Sequence, residues 1–219
     1  MAARGEPAPP VSARAAASGP RGRRPKTRAA VLRATEALLE TTPLAQLSVA
    51  RILEAAGVGR TSFYEHFDSK EDVIVQLLRA VSAQVGAAIA PLYDRGERSP
   101  DEALRVGLES LVATWGRHAP LLVAAAEGWP RVPELRSMWF SLQAQATERL
   151  AAVIDRDRAA GIAPPGADSR ALAASLVWTV ERAMHVCVRR SGSSELPQVV
   201  EPLHQLLVGA IYGRAPIRS

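Results

Sequence analysis

From Thr27 to Tyr212 the apolar residues recur at helical spacing, and no segment shows a sustained period-two alternation bounded by turns. That pattern restricts the chain to helix-on-helix packing, and the expectation is an all-α protein with about nine helices. Val31, Leu32, Leu38 and Leu39 place one stripe on a first helix over about 27–40, which Thr41-Thr42-Pro43 stops. Ser48 caps a second helix with Val49, Ile52, Leu53 and Ala56 inward, and Gly57-Val58-Gly59 ends it after about two turns. A third short helix follows over about 60–67. Asp68 or Ser69 then caps a long fourth helix, 69–90, with Glu71 and Asp72 in its first turn, where the helix dipole favours acids.

The remaining punctuation is equally legible. Ser99-Pro100-Asp101-Glu102 starts a helix that runs to about Gly116. A short helix is expected near 119–127, a long one from Pro133 to Gly161, another from Asp168 or Ser169 to about Arg190, and a last one over 195–212. The 219 residues suffice for a sizeable core, and the 47% hydrophobic and 22% charged shares are those of an ordinary globular chain. The apolar runs are shorter than a bilayer span requires, the N-terminus lacks a signal-peptide core, and the expected compartment is the cytoplasm, with no membrane partner. A single cysteine, Cys187, excludes an internal disulfide and a cysteine-based zinc cluster.

Charge is concentrated at the start. Residues 1–30 carry Arg4, Arg14, Arg21, Arg23, Arg24, Lys26 and Arg28 against Glu6, so this segment holds more than the chain's whole net charge of +5. Residues 1–22 are rich in Ala, Pro, Gly, Ser and Arg and read as a disordered basic arm. A basic arm on a nearly neutral body suits a polyanion. The stretch Ser48 to Phe67 (SVARILEAAGVGRTSFYEHF) supplies the means of reading one: two short helices joined by a Gly-containing turn. Gly57 sits where the turn needs positive φ, and Val58 and Phe63 point into the core. Arg60, Thr61, Ser62, Tyr64 and His66 are left outside, as residue types that reach bases or phosphates.

GVGRTSFYEHFDSKEDVIVQLL resembles the signature of the tetracycline-repressor (TetR) family: Gly-Val, a polar stretch, Phe-Tyr, His-Phe, then Ser-Lys-Glu opening a helix. The likeness covers about 24–85 and takes in Leu47-Ser48-Val49; one departure is Leu53, where the family usually has alanine. The resemblance implies a DNA-binding domain over 23–85 with its motif at 48–67, and an effector-binding and dimerisation domain over 86–219. It implies a recognition helix at 60–66, with backbone contacts from Ser48, Tyr64, His66 and Lys70. Arg23, Arg24 and Thr27, at the entry to the first helix, join the DNA-binding set.

A weaker likeness to one branch of the family extends through AAVID (151–155), Glu181-Arg182, Arg117-His118, Trp139 and IYG (211–213). That branch has an apolar tunnel in its C-terminal domain. Matching positions would line it with Leu104, Leu108, Leu111, Trp115, Trp139, Ala146, Leu150, Val177, Val180, Glu181 and Leu207. Two asparagines of the relative are Val177 and Val180 here. Glu181 lies among apolar neighbours and calls for a partner, since Arg182, next to it in sequence, points elsewhere on a helix.

The function these readings support is a sequence-specific DNA-binding transcriptional regulator, a repressor released from a double-stranded operator by a small apolar effector. The expected assembly is a homodimer through the last two long helices. The alternative is a helical small-molecule-binding protein without DNA-regulated function. No nucleophile elbow, phosphate loop, dinucleotide fingerprint or zincin motif points to an enzyme, and no catalytic residue, metal site or cofactor is nominated.

Overall fold

The computed structural model describes residues 20–213, with side chains from residue 26 onward. The arm at 1–19 and the tail at 214–219 lie outside the described residues. Every regular element among those described is helical. The elements are α1 (Pro20–Leu39), α2 (Val49–Ala56), α3 (Arg60–Tyr64), α4 (Lys70–Ala88), α5 (Ala90–Tyr93), α6 (Pro100–Arg117), α7 (Ala119–Gly128), α8 (Pro133–Ala159), α9 (Ser169–Ser191) and α10 (Val200–Tyr212). Two 3₁₀ stretches, Leu44–Gln46 and Ser193–Val199, complete the chain.

The boundaries follow local chemistry. Ser48, Ser69, Ser99 and Asp168 each accept a hydrogen bond from a backbone N–H three residues on, so the expected caps of α2, α4, α6 and α9 are made. Pro100 and Pro133 stand in first turns, where a missing N–H costs nothing.

Four boundaries differ from expectation, and one short helix is added. α1 starts at Pro20, about seven residues early, so residues 20–22 of the expected disordered arm are helical. Proline opens a helix readily, and the arginines that follow are good helix formers. α3 ends at Tyr64 rather than near residue 67. The fourth helix ends at Ala88, and the separate turn α5 follows around Pro91. The last helix starts at Val200 instead of 195, because Pro197 lacks the N–H an α-helix needs and leaves a 3₁₀ stretch. Among the described residues the α-helices therefore number ten.

α1, α2 and α3 form a small head around Val31, Leu39, Leu47, Ile52, Phe63 and Phe67, all buried. α4 leaves the head and enters the body, packing on α1 at one end and on α6, α7 and α8 along its length. In the body α8 lies along α9, and α10 lies on α6. α5 rests on α6 at Gly107, where an added Cβ would stand 2.8 Å from Leu92 Cβ, so only glycine permits that approach. α9 is long and apolar enough to cross a membrane by length and composition, which the absence of long apolar runs did not anticipate. In the bundle its Ala173, Leu176, Val180 and Met184 are core residues against α7 and α8.

Candidate functional site

The head presents two short helices at a tight turn. α2 ends on Gly57, whose φ of 63° is left-handed, and the N–H of Val58 donates to Leu53 O at 3.2 Å, closing a Schellman-type cap. Leu53, the departure from the family pattern, is half-buried and packs against the core without disturbing this turn. Phe63 is fully buried and stacks against Phe67 at 5.4 Å and edge-on to Tyr64 at 5.3 Å. With Phe63 inward, Arg60, Thr61 and Tyr64 fall on the exposed face of α3. The Arg60 guanidinium lies 5.6 Å from the Tyr64 ring centroid.

Other expected contacts are placed less openly. Ser62 and His66 are half-buried, and His66 Nε2 is buried without a hydrogen-bond partner, so the imidazole is not the outward group expected. The hydroxyl of Ser48 accepts from Arg51 N–H at 3.3 Å on an exposed edge. Lys70 has a job the sequence did not announce. Its ammonium donates to Leu44 O at 3.0 Å and Leu47 O at 2.7 Å, tying the first turn of α4 to the segment that feeds α2. Glu71 stands 3.8 Å away, and an ammonium has three N–H groups, so one remains after the two carbonyls. Thr27 is half-buried at the start of the described side chains, and the side chains of Arg23 and Arg24 lie outside them.

A second site lies in the body. A cavity of about 220 Å³ lies between α4, α5, α6, α7, α8, α9 and α10. Its wall includes Leu108, Leu111, Trp115, Trp139, Ala146, Leu150, Val177, Val180, Glu181 and Leu207, ten of the eleven expected residues. Leu104 is buried in the core but does not reach the cavity. The sequence missed the contribution of α4, which supplies Leu78, Ser82, Val85 and Gly86. It also missed Arg149, whose exposed guanidinium lies 4.0 Å from the Tyr93 ring centroid at the cavity wall. Helical spacing alone does not separate an apolar residue of α4 that packs on a neighbour from one that walls a cavity.

Glu181 is the buried charged group of this wall. Among the described residues neither carboxylate oxygen has a hydrogen-bond partner. Arg182 does reach back, against expectation, and its Nη2 stands 3.6 Å from Oε2, an ion pair too long to be a hydrogen bond. Burial pushes the Glu181 carboxyl above its ordinary pKa, and the Arg182 charge only partly offsets this. The indole N–H of Trp139, on the same wall, is also without an acceptor.

Head and body are joined by polar contacts as well as by α4. His118, at the α6–α7 junction, places Nδ1 3.0 Å from Glu36 Oε1 on α1 and Nε2 3.2 Å from Gln84 Oε1 on α4. Gln76 on α4 accepts from Arg28 on α1 at 2.7 Å and donates to His66 O at 3.4 Å.

A helix-turn-helix head sharing one long helix with a cavity-bearing helical body is the architecture of a DNA-binding transcriptional regulator. Comparison with known proteins makes the assignment specific. Residues 31–77 match the family described as bacterial regulatory proteins, tetR family, and residues 104–213 match the transcriptional regulator EthR, C-terminal domain. The HTH-type transcriptional regulator EthR of Mycobacterium tuberculosis is 32% identical over 215 residues, covering 93% of this chain and 98% of its own. The EthR of Mycolicibacterium smegmatis is 30% identical over 205 residues, covering 90% and 94%. The fatty acid degradation regulator FadR of Bacillus halodurans shares the fold, with a TM-score of 0.69 at 21% identity over 88% of this chain and 97% of its own. The chain belongs to the TetR family of helix-turn-helix transcriptional regulators, whose members bind DNA operators as dimers.

Proposed function

We propose that this chain is an operator-binding repressor, acting in the cytoplasm, that a small apolar effector releases from DNA. One observation carries the reading: α4 both walls the cavity, through Leu78, Ser82, Val85 and Gly86, and holds the DNA-reading head, through Lys70 and Gln76. A ligand that pushes on the middle of α4 therefore moves the support of α2 and α3. It acts only if it binds one spacing of the two heads better than the other. The cavity wall is mostly Leu, Val, Ala and Trp, which favours an apolar molecule.

On the DNA side, Arg60, Thr61 and Ser62 at the start of α3 are the base readers. Ser48, Tyr64, the remaining N–H of Lys70 and, after its ring turns outward, His66 contact phosphates. Arg23, Arg24 and Thr27 add to them from α1.

Two protomers pair through the body. We place the pairing on the last two long helices, α9 and α10. α10 buries Leu203, Leu207, Val208 and Ile211 on its inner face and keeps Leu206 exposed on the outer one, and α9 keeps Val186 exposed. Replacing Leu206 with Arg should yield monomers in light scattering.

A gel shift on the DNA flanking the chain's own gene, with and without lipophilic compounds, tests the reading. Release by a compound that binds the cavity is the expected result. No binding to that DNA, with compounds still held, returns the protein to the class of ligand binders without DNA-regulated function.

A further inference from the structure

We infer that the cavity selects apolar amines, a hydrocarbon body ending in an ammonium that pairs with Glu181. The inference rests on the effector reading of the same cavity and names the chemistry of its occupant.

Glu181 lacks the partners a buried acid requires. Its side chain is 6% exposed, both oxygens are without hydrogen-bond partners among the described residues, and it faces a wall of Leu, Val and Trp. The charge beside it, Arg182, is half exposed and 3.6 Å away, so water screens most of its effect. A carboxylate left this way has already lost its hydration in the folded chain. An ammonium entering beside it regains much of that loss, whereas a hydroxyl supplies only a neutral hydrogen bond.

The other charge on the wall points to the same ligand by contrast. Arg149 would suit a carboxylate, but its guanidinium is exposed, stacked on Tyr93 and solvated. The unsatisfied group is the buried acid, and its demand sets the preference. Glu181 on α9 and Ser82, Val85 and Gly86 on α4 wall one space, so a ligand fixed at its ammonium end lays its hydrocarbon across the helix that carries the head.

The test is isothermal titration of the full-length protein with octylamine, 1-octanol and octanoate, with operator release measured in parallel. In wild type the amine should bind about tenfold or more tighter than the alcohol, and octanoate weakest. In Glu181→Gln, checked for folding by its melt, the preference for the amine should fall to about twofold or less. The wild-type ranking alone is decisive if that variant fails to fold. An alcohol or an acid that binds as tightly as the amine overturns the inference, as does a preference that survives Glu181→Gln or a cavity that takes none of the three. An amine preference without operator release leaves the inference standing and defeats the effector reading. Release by octanol with no amine preference does the reverse.

Discussion

Two buried acids in this chain meet opposite fates, and the difference sets two pH responses. Asp157 is fully buried but answered: Arg95 donates to both oxygens at 2.6 Å and Tyr212 Oη–H donates to Oδ2 at 2.8 Å. Burial alone would raise its pKa; the hydrogen bonds outweigh it and hold the carboxyl below its ordinary range. A depressed carboxyl stabilises above its unfolded pKa, near 4, and that contribution fades as pH falls through the folded value. Arg95→Ala should therefore cost about 3–5 kcal/mol at pH 7 and less near pH 3, as read from melts at the two values. Glu181 runs the other way. Its raised carboxyl favours the fold while protonated, and stability is lost as pH rises from the unfolded value through the folded one. Glu181→Gln should melt about 2–4 °C above wild type at pH 7 and converge with it near pH 4. A variant equal to wild type at both values would show the carboxylate to be partnered.

At the same scale, Phe63→Ala opens a cavity in the head and should destabilise it by about 3–5 kcal/mol. Arg60→Ala should leave the melt unchanged and relax operator specificity at one or two base pairs, by about 1–3 kcal/mol each. Melting combined with binding to a panel of altered sites separates the two; equal melts for both variants would mean the faces of α3 are misassigned.

Among the elements, legibility followed locality. The caps at Ser48, Ser69, Ser99 and Asp168, and the turn at Gly57, are set by residues within five positions of one another, so the sequence displays them directly. The start of α10 was less visible, because Pro197 permits a 3₁₀ stretch that the apolar periodicity does not distinguish from a helix. Non-local polar contacts were hidden for a different reason. Lys70 bonds carbonyls 23 and 26 residues away, and Asp157 is 62 residues from Arg95 and 55 from Tyr212. No spacing rule encodes such pairs. The cavity was mostly legible through the family resemblance, yet its α4 wall was not, since Leu78 and Val85 satisfy helical packing equally well. Lys70→Ala tests what that contact does. It leaves Leu44 O and Leu47 O without their donor, at about 1–3 kcal/mol. The melt should fall, and the salt slope of DNA binding should flatten by about one per subunit if the third N–H reaches a phosphate. A lower melt with an unchanged slope assigns Lys70 to positioning alone.

For the whole molecule, DNA binding by a dimer should be strongly salt dependent. Three or four phosphates neutralised per subunit give a slope of log K against log salt of roughly −5 to −7, and an affinity unmoved by salt would contradict the phosphate contacts. The central claim is that occupancy of the body cavity is felt at the head through α4. It is tested most directly by operator affinity with and without a saturating lipophilic ligand, in wild type and in Leu150→Trp, whose indole would occupy the cavity. Wild type should lose about tenfold or more in affinity when the ligand is added, a coupling of roughly 1.4 kcal/mol. Leu150→Trp should bind DNA and show no response to the ligand. A ligand that titrates into the wild-type cavity while operator affinity stays the same would contradict the account.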